Sequence, residues 1–144
     1  MVLILGITLS MIMMTTALHA LGMKYGIKLV KQEDQGRWFW PASQNLRVTS
    51  VVFLMFCISM LESLLWSVPY LLFGVIDGFE KAFYFSMVTY TTLGYGDVVL
   101  PEKWRLLGSF EAASGIIMFG WTTAIVMSAI RHIYFRDKDP TKFE

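Results

Sequence analysis

Three long apolar runs dominate the chain, at residues 2–23, 48–73 and 104–130. The first is broken only by Thr8, Ser10, Thr15, Thr16 and His19. The second carries one acid, Glu62, and a proline, Pro69, toward its far end. The third is interrupted by Gly115 and Gly120 and, as a helix, would be ~40 Å long. A helix needs ~20 mostly apolar residues to cross a bilayer, so each run is expected to span a membrane. For the first run a cleaved signal peptide is the rival reading, with a helix lying in the interface as another. No Lys or Arg precedes its apolar core, and Leu18-His19-Ala20 is a poor cleavage site. Glu62 is costly at membrane depth, so it is expected to face protein and to find a partner there, with Trp66 a candidate one helical turn on.

Between the second and third runs the pattern changes. Asp77-Gly78-Phe79-Glu80 reads as a capping box that opens a helix. That helix, over 79–90, has room for about three turns, too few to span. It runs into Thr91-Thr92-Leu93-Gly94-Tyr95-Gly96-Asp97, a polar, glycine-rich stretch in a greasy chain. A short helix leading into such a loop, flanked by two spans, is a re-entrant hairpin. Irregular backbone at membrane depth persists only when buried in protein or lining a wet cavity. One copy of this chain cannot enclose the loop, so an oligomer is expected.

Composition agrees with the pattern. The 144 residues are 56% hydrophobic and 16% charged, against roughly 45–50% and 25% in soluble domains. The net charge of +1 gives no reason to expect a nucleic-acid partner. The lone Cys57 excludes an intrachain disulfide, has no metal-ligand spacing around it, and is expected to pack as a small hydrophobe. Where the charges lie is more informative. Residues 24–47 and the tail after Ile130 together hold nine of the twelve Lys and Arg residues. The positive-inside rule makes both cytoplasmic, with the N-terminus outside and the hairpin entered from the outer face of the cell's inner or plasma membrane. Arg37-Trp38-Phe39-Trp40-Pro41 reads as a connecting loop at the lipid headgroups, where one helical turn has room to form.

The chemistry of 91–97 follows from what a potassium ion requires. It gives up its water shell only to oxygens of similar number and spacing, which backbone carbonyls turned toward one axis supply. Such a backbone needs dihedrals that ordinary residues resist, hence Gly94 and Gly96. Thr92 adds a hydroxyl at the inner end, while Leu93 and Tyr95 are expected to point away and brace the loop against surrounding helices. The helix over 79–90 would aim the negative end of its dipole at a cavity below, favouring a cation there.

These residues resemble the filter signature of tetrameric potassium channels. Ala82-Phe83-Tyr84-Phe85-Ser86 through Asp97 is similar to their pore helix and filter, and Gly115-Ile116-Ile117-Met118-Phe119-Gly120 to their inner-helix hinge. The resemblance covers roughly 48–133 and leaves out the first helix (1–23), the basic loop (24–47) and the short tail (134–144). It implies an all-α membrane protein, a symmetric homotetramer around a central pore, with outer helix 48–73, pore helix 79–90, filter 91–97 and inner helix 104–130. It implies K+ as the permeant ion at the carbonyls of Thr92, Leu93, Gly94 and Tyr95, with Gly96 completing the filter. Thr91, Asp97, Tyr84, Val88 and Glu111 would support the filter. Ile116, Phe119, Gly120, Thr123 and Met127 would line the cavity, and Gly115 would let the inner helix bend. Leu93 stands where valine is usual. Tyr84 and Phe85 replace an aromatic pair that is often Trp-Trp, and only Tyr84 keeps a group able to hold Asp97. Val88 occupies a slot that some bacterial members fill with glutamate. Glu111 is expected either to supply that carboxylate or to make a helix–helix hydrogen bond.

Other readings are weaker. Gly94-Tyr95-Gly96-Asp97 also fits the signature of intramembrane aspartyl proteases, but those need a second aspartate within a span, and the three runs contain none. A single-chain transporter would need four such hairpins. The reading is therefore not an enzyme and needs no cofactor; its partners are the bilayer, K+ and three further copies. A weakly selective cation channel and a non-conducting accessory or sensory subunit are the alternatives. No arginine ladder suggests voltage sensing, and residues 131–144 are too few to fold a ligand-binding domain. His132, beside Arg131, is a candidate proton sensor, as is His19 near the inner end of the first helix. The first helix would respond to membrane tension or brace the rim of the tetramer.

Overall fold

The first apolar run folds as one unbroken helix, α1 (Val2–Gln32), in a computed structural model that describes residues 1–32 and 44–135. It continues well past the run that defines the span. Lys24 and Lys28 do not end it, because lysine is a good helix former and can carry its charge out to water on a long stem. The second helix, α2 (Gln44–Leu72), passes through Pro69 and ends in a turn built on Gly74, whose φ is 59°. The short helix α3 (Phe79–Tyr90) follows, then the loop, a 3₁₀ turn (Glu102–Trp104) and α4 (Arg105–Phe135). The third run folds as the continuous helix expected of it, α4 passing through Gly115 and Gly120 without a break. Glycine costs a helix only about 1 kcal/mol, and in lipid an unmade backbone bond costs several.

Every element among the described residues is helical, and α1, α2 and α4 are each long and apolar enough to cross a membrane. The loop expected over 24–47 is helical at both described ends, in α1 as far as Gln32 and in α2 from Gln44; its aromatic middle at 33–43 and the tail at 136–144 lie outside the described residues.

The antiparallel pair α2–α4 is the frame. In its upper half it receives α3, and Trp66, Tyr70, Ala82, Phe85, Tyr90, Leu107 and Met118 form one apolar core there. Toward the other end Val51, Met55, Ile125 and Ala129 form a smaller core. The first helix packs against both members of the frame. Its approach to α2 is close at Gly22, where a Cβ would stand 2.8 Å from Ile58 Cγ1. Small residues at such crossings let membrane helices come together without any hydrophobic drive from water. Cys57, expected to be packed, is only half-buried on α2.

Candidate functional site

The loop at 91–97 is anchored on the end of α3. The α3 carbonyls of Met87, Val88 and Thr89, which an isolated helix would leave open, accept N–H groups of Thr91 (3.1 Å), Gly94 (3.1 Å) and Thr92 (2.9 Å) in turn. The Thr91 hydroxyl adds a bond of 2.7 Å to the Met87 carbonyl. The helix therefore grips the loop with its own last turn. At its other end α3 departs from expectation. Its N-cap is Gly78, at φ 88°, with no side-chain cap bond, so Asp77 and Glu80 do not form a capping box. The left-handed turn at Gly78 shifts the helix start one residue past Asp77, out of register for that pairing.

Backbone handedness within the loop alternates. Thr92, Gly94 and Gly96 have φ of 61°, 56° and 77°, while Leu93 and Tyr95 between them stay on the ordinary side. A strand alternates side chains and points successive carbonyls in opposite directions. Alternating left- and right-handed residues instead turn successive peptides the same way, which concentrates like backbone dipoles on one side. Gly94 and Gly96 supply this without steric cost. Thr92 does not: a branched residue at φ 61° is strained, and such strain persists only where the surroundings over-determine it. The glycines were legible in the sequence; the threonine's conformation was not.

All seven residues of the loop are exposed in the single chain. Leu93 and Tyr95, at 54% and 66% exposure, do not brace against helices of their own chain. Ile116, Phe119, Gly120, Thr123 and Met127 likewise lie on one exposed stripe of α4, while Glu111, Ser114, Gly115 and Met118 face the core.

The C-terminal end of the loop is tied back to α3. The Tyr84 hydroxyl donates to Asp97 Oδ2 at 2.6 Å, and Val98 N–H donates to Oδ1 at 3.1 Å. The Tyr84 bond, chiefly, holds the Asp97 carboxyl below its ordinary range, and raises the Tyr84 hydroxyl in turn. Because the folded value is lowered, the tie is complete above the ordinary carboxylate range and is given up as pH falls through the lowered value. Tyr84→Phe is expected to move the Asp97 titration upward toward the usual carboxylate range, read by isotope-edited infrared spectroscopy of the carboxyl; an unmoved titration would show that the bond does not form.

Behind the loop lie the two acids of the spans, both fully buried. Glu111 accepts from the Tyr70 hydroxyl at 2.7 Å and from the Ser86 hydroxyl. The same Ser86 oxygen lies 2.5 Å from the Ser63 carbonyl. The carboxylate thus joins α2, α3 and α4 by helix–helix hydrogen bonds, and its α3 contact lies a turn below the loop. Val88, whose carbonyl holds Gly94, is buried. Glu62 does not pair with Trp66. Its partners are Tyr90, donating to Oε2 at 2.7 Å, and His19, with Nδ1 at 2.9 Å from Oε1. Ser86 and Tyr90 are four residues apart on one face of α3, so both acids grip the same helix.

His19 was the residue that sequence reasoning placed least well. It is fully buried mid-bundle instead of near the inner end of the helix, with Thr122 Oγ1 3.3 Å from Nε2 and the Trp121 ring 5.2 Å away. The signal was present: one buried acid and one histidine, each alone in an apolar span, both needing partners. His132 lies ten residues past Thr122 on α4 and lines a pocket with Met23, Val51, Trp121 and Ile125.

Two further contacts fix Tyr90. A Cβ at Gly115 would overlap its carbonyl oxygen, and its ring meets Phe119 edge-on at 5.8 Å. The residue before the loop is thus held by backbone, ring and hydroxyl together.

Comparison with known proteins adds one finding. A family profile described as an ion channel matches residues 48–132, from α2 through most of α4 and excluding α1. No curated protein and no solved structure matches the chain.

Proposed function

Since the chain belongs to the ion-channel family that builds its pore from two spanning helices and a loop between them, we propose that it is a potassium channel whose filter is Thr92-Leu93-Gly94-Tyr95-Gly96. The alternating handedness across Thr92, Gly94 and Gly96 carries the reading. A backbone of that kind can offer successive carbonyls to one axis, which is what replaces the water shell of K+. The ligands are then the carbonyls of Thr92, Leu93, Gly94 and Tyr95 with the Thr92 hydroxyl. Tyr84 and Asp97 tie the outer end, Glu111 supports α3 from behind, and Val88 of α3 holds Gly94 through its carbonyl.

Four copies are needed to close the ring. The support for this lies in what one chain leaves uncovered: the whole loop and the stripe Ile116, Phe119, Gly120, Thr123, Met127 of α4. Fourfold arrangement would turn both toward a common axis and enclose a backbone that lipid cannot satisfy. With residues 24–47 and the tail inside, the N-terminus and the loop's outer mouth face outward. The flow is passive, and no bond is made or broken.

The purified protein in liposomes is expected to pass K+ well ahead of Na+ in a flux assay. Equal fluxes would leave a weakly selective cation channel, and absence of any flux a subunit that does not conduct. Native mass spectrometry is expected to give a tetramer; a monomer or dimer under conditions that preserve flux would refute the fourfold pore.

A further inference from the structure

The helix that the family match leaves out reaches the loop through one chain of hydrogen bonds. His19 of α1 meets Glu62 of α2 at 2.9 Å, and Glu62 accepts from Tyr90 of α3 at 2.7 Å, one residue before Thr91. We propose that α1 is part of the filter's support: His19 is a positioning residue that, through Glu62, holds Tyr90 and so the inner entrance of the filter at Thr91 and Thr92. The inference rests on the channel reading above.

His19 and Glu62 have no exposed surface and Tyr90 almost none, so no water stands ready to replace a lost partner. A carboxylate with two oxygens and two partners is satisfied only while both stay. Without His19, Glu62 has an unpaired oxygen at membrane depth and must turn toward another donor, drawing on the bond that fixes Tyr90.

The position of His19 is itself over-determined. The close crossing of Gly22 on Ile58, less than one turn further along α1, fixes the helix against α2. Trp121 and Thr122 of α4 close on the ring from the other side. The histidine therefore cannot slide along the frame without breaking helix packing, and it presents its nitrogen to Glu62 at a set height.

What the chain of bonds controls is a strained residue. Tyr90 sits directly below Thr91, and Thr92 is held at φ 61°. Its neighbours hold that conformation: the carbonyl of Tyr90 rests on Gly115, its ring on Phe119 and its hydroxyl on Glu62. Of these three contacts, only the hydroxyl's is supplied through the extra helix. Releasing it lets the ring swing and the Thr92 peptide relax, at the oxygen nearest the cavity.

The test is the permeability ratio of K+ over Na+, taken from reversal potentials of the full-length protein in planar bilayers. The ratio does not depend on how many channels insert, so a partial loss of folded protein leaves it readable. His19→Leu and Tyr90→Phe are each expected to lower the ratio by roughly fivefold, the scale of one lost buried hydrogen bond. The double variant should be no worse than the worse single one, because both break one chain. His19→Gln, whose amide can donate to Glu62, should restore most of the ratio.

If His19 served only to hold the bundle together, thermal stability would fall while the ratio stayed at its wild-type value, and the proposal would be overturned. Should His19→Leu fail to assemble, Tyr90→Phe decides alone: it removes one hydroxyl, keeps the ring on Phe119, and an unchanged ratio refutes the idea. A wild-type ratio near one overturns the potassium reading instead. The positioning role is then read in single-channel conductance, where an unaltered Tyr90→Phe channel sinks it. Wild-type protein that passes no ion overturns both.

Discussion

Gly115→Ala is expected to lower the thermal stability of the folded protein more than any other single methyl added to α4. The added Cβ would overlap the Tyr90 carbonyl oxygen and stand 2.9 Å from its carbonyl carbon. Both are backbone atoms, so no side chain can rotate away, and α3 and α4 must separate. Overpacking of this kind costs about 1–3 kcal/mol and sometimes more. The separation also pulls on Ser86 and Glu111, which join the same two helices, and a buried polar group left unpaired adds ~1–3 kcal/mol. Against a total of roughly 5–15 kcal/mol this is a large share. The measurement is the melting midpoint of the detergent-solubilised protein with its assembled fraction by size exclusion. It also separates two roles for Gly115. A hinge that only needs to bend would change open times and leave melting alone; a seat for Tyr90 would show in melting first. A variant as stable as wild type would rule out the seat.

Gly96→Ala acts by the opposite route. Nothing lies within 4 Å of a Cβ there, so space is free. The obstacle is φ at 77°, a left-handed conformation that costs an L-residue about 1–2 kcal/mol. In the proposed ring of four copies the strain sums to ~4–8 kcal/mol, and turning the peptide over relieves it at the expense of the carbonyl direction. Since 1.4 kcal/mol is a factor of ten, potassium preference is expected to fall by at least about tenfold. Assembly should be largely kept, because Gly96 touches none of the helix contacts. A Gly96→Ala protein that still discriminates K+ from Na+ as wild type does would refute the role given to this residue.

The two glycines show where sequence reading reaches and where it stops. Gly96 lies in a local pattern, Gly-Tyr-Gly-Asp after two threonines, and its positive φ follows from that pattern. Gly115 lies in an apolar run and reads as a break or a hinge; that it faces a carbonyl of another helix is invisible until α3 is packed. The same divide separates Asp97 from Glu62. Tyr84 was legible as a donor for Asp97 through the resemblance to tetrameric potassium channels, whose pore helix often carries an indole in that slot. The partner of Glu62 was sought one turn away at Trp66 and lies 43 residues away at His19.

By itself the sequence determined three membrane-length helices, a short helix between the second and third, and a glycine-marked loop after it. These are local properties: apolar length against bilayer thickness, and backbone freedom where side chains are absent. The tertiary structure alone decided how the buried polar groups pair. In lipid such groups cannot turn to water, so the two acids take the donors that the crossing helices bring within reach, while Thr8 Oγ1, Trp66 Nε1 and Ser114 Oγ, to which no helix brings a partner, stay unpaired. That choice depends on helix rotation and depth, which no stretch of chain records, and it joins His19 and Tyr90 through one carboxylate.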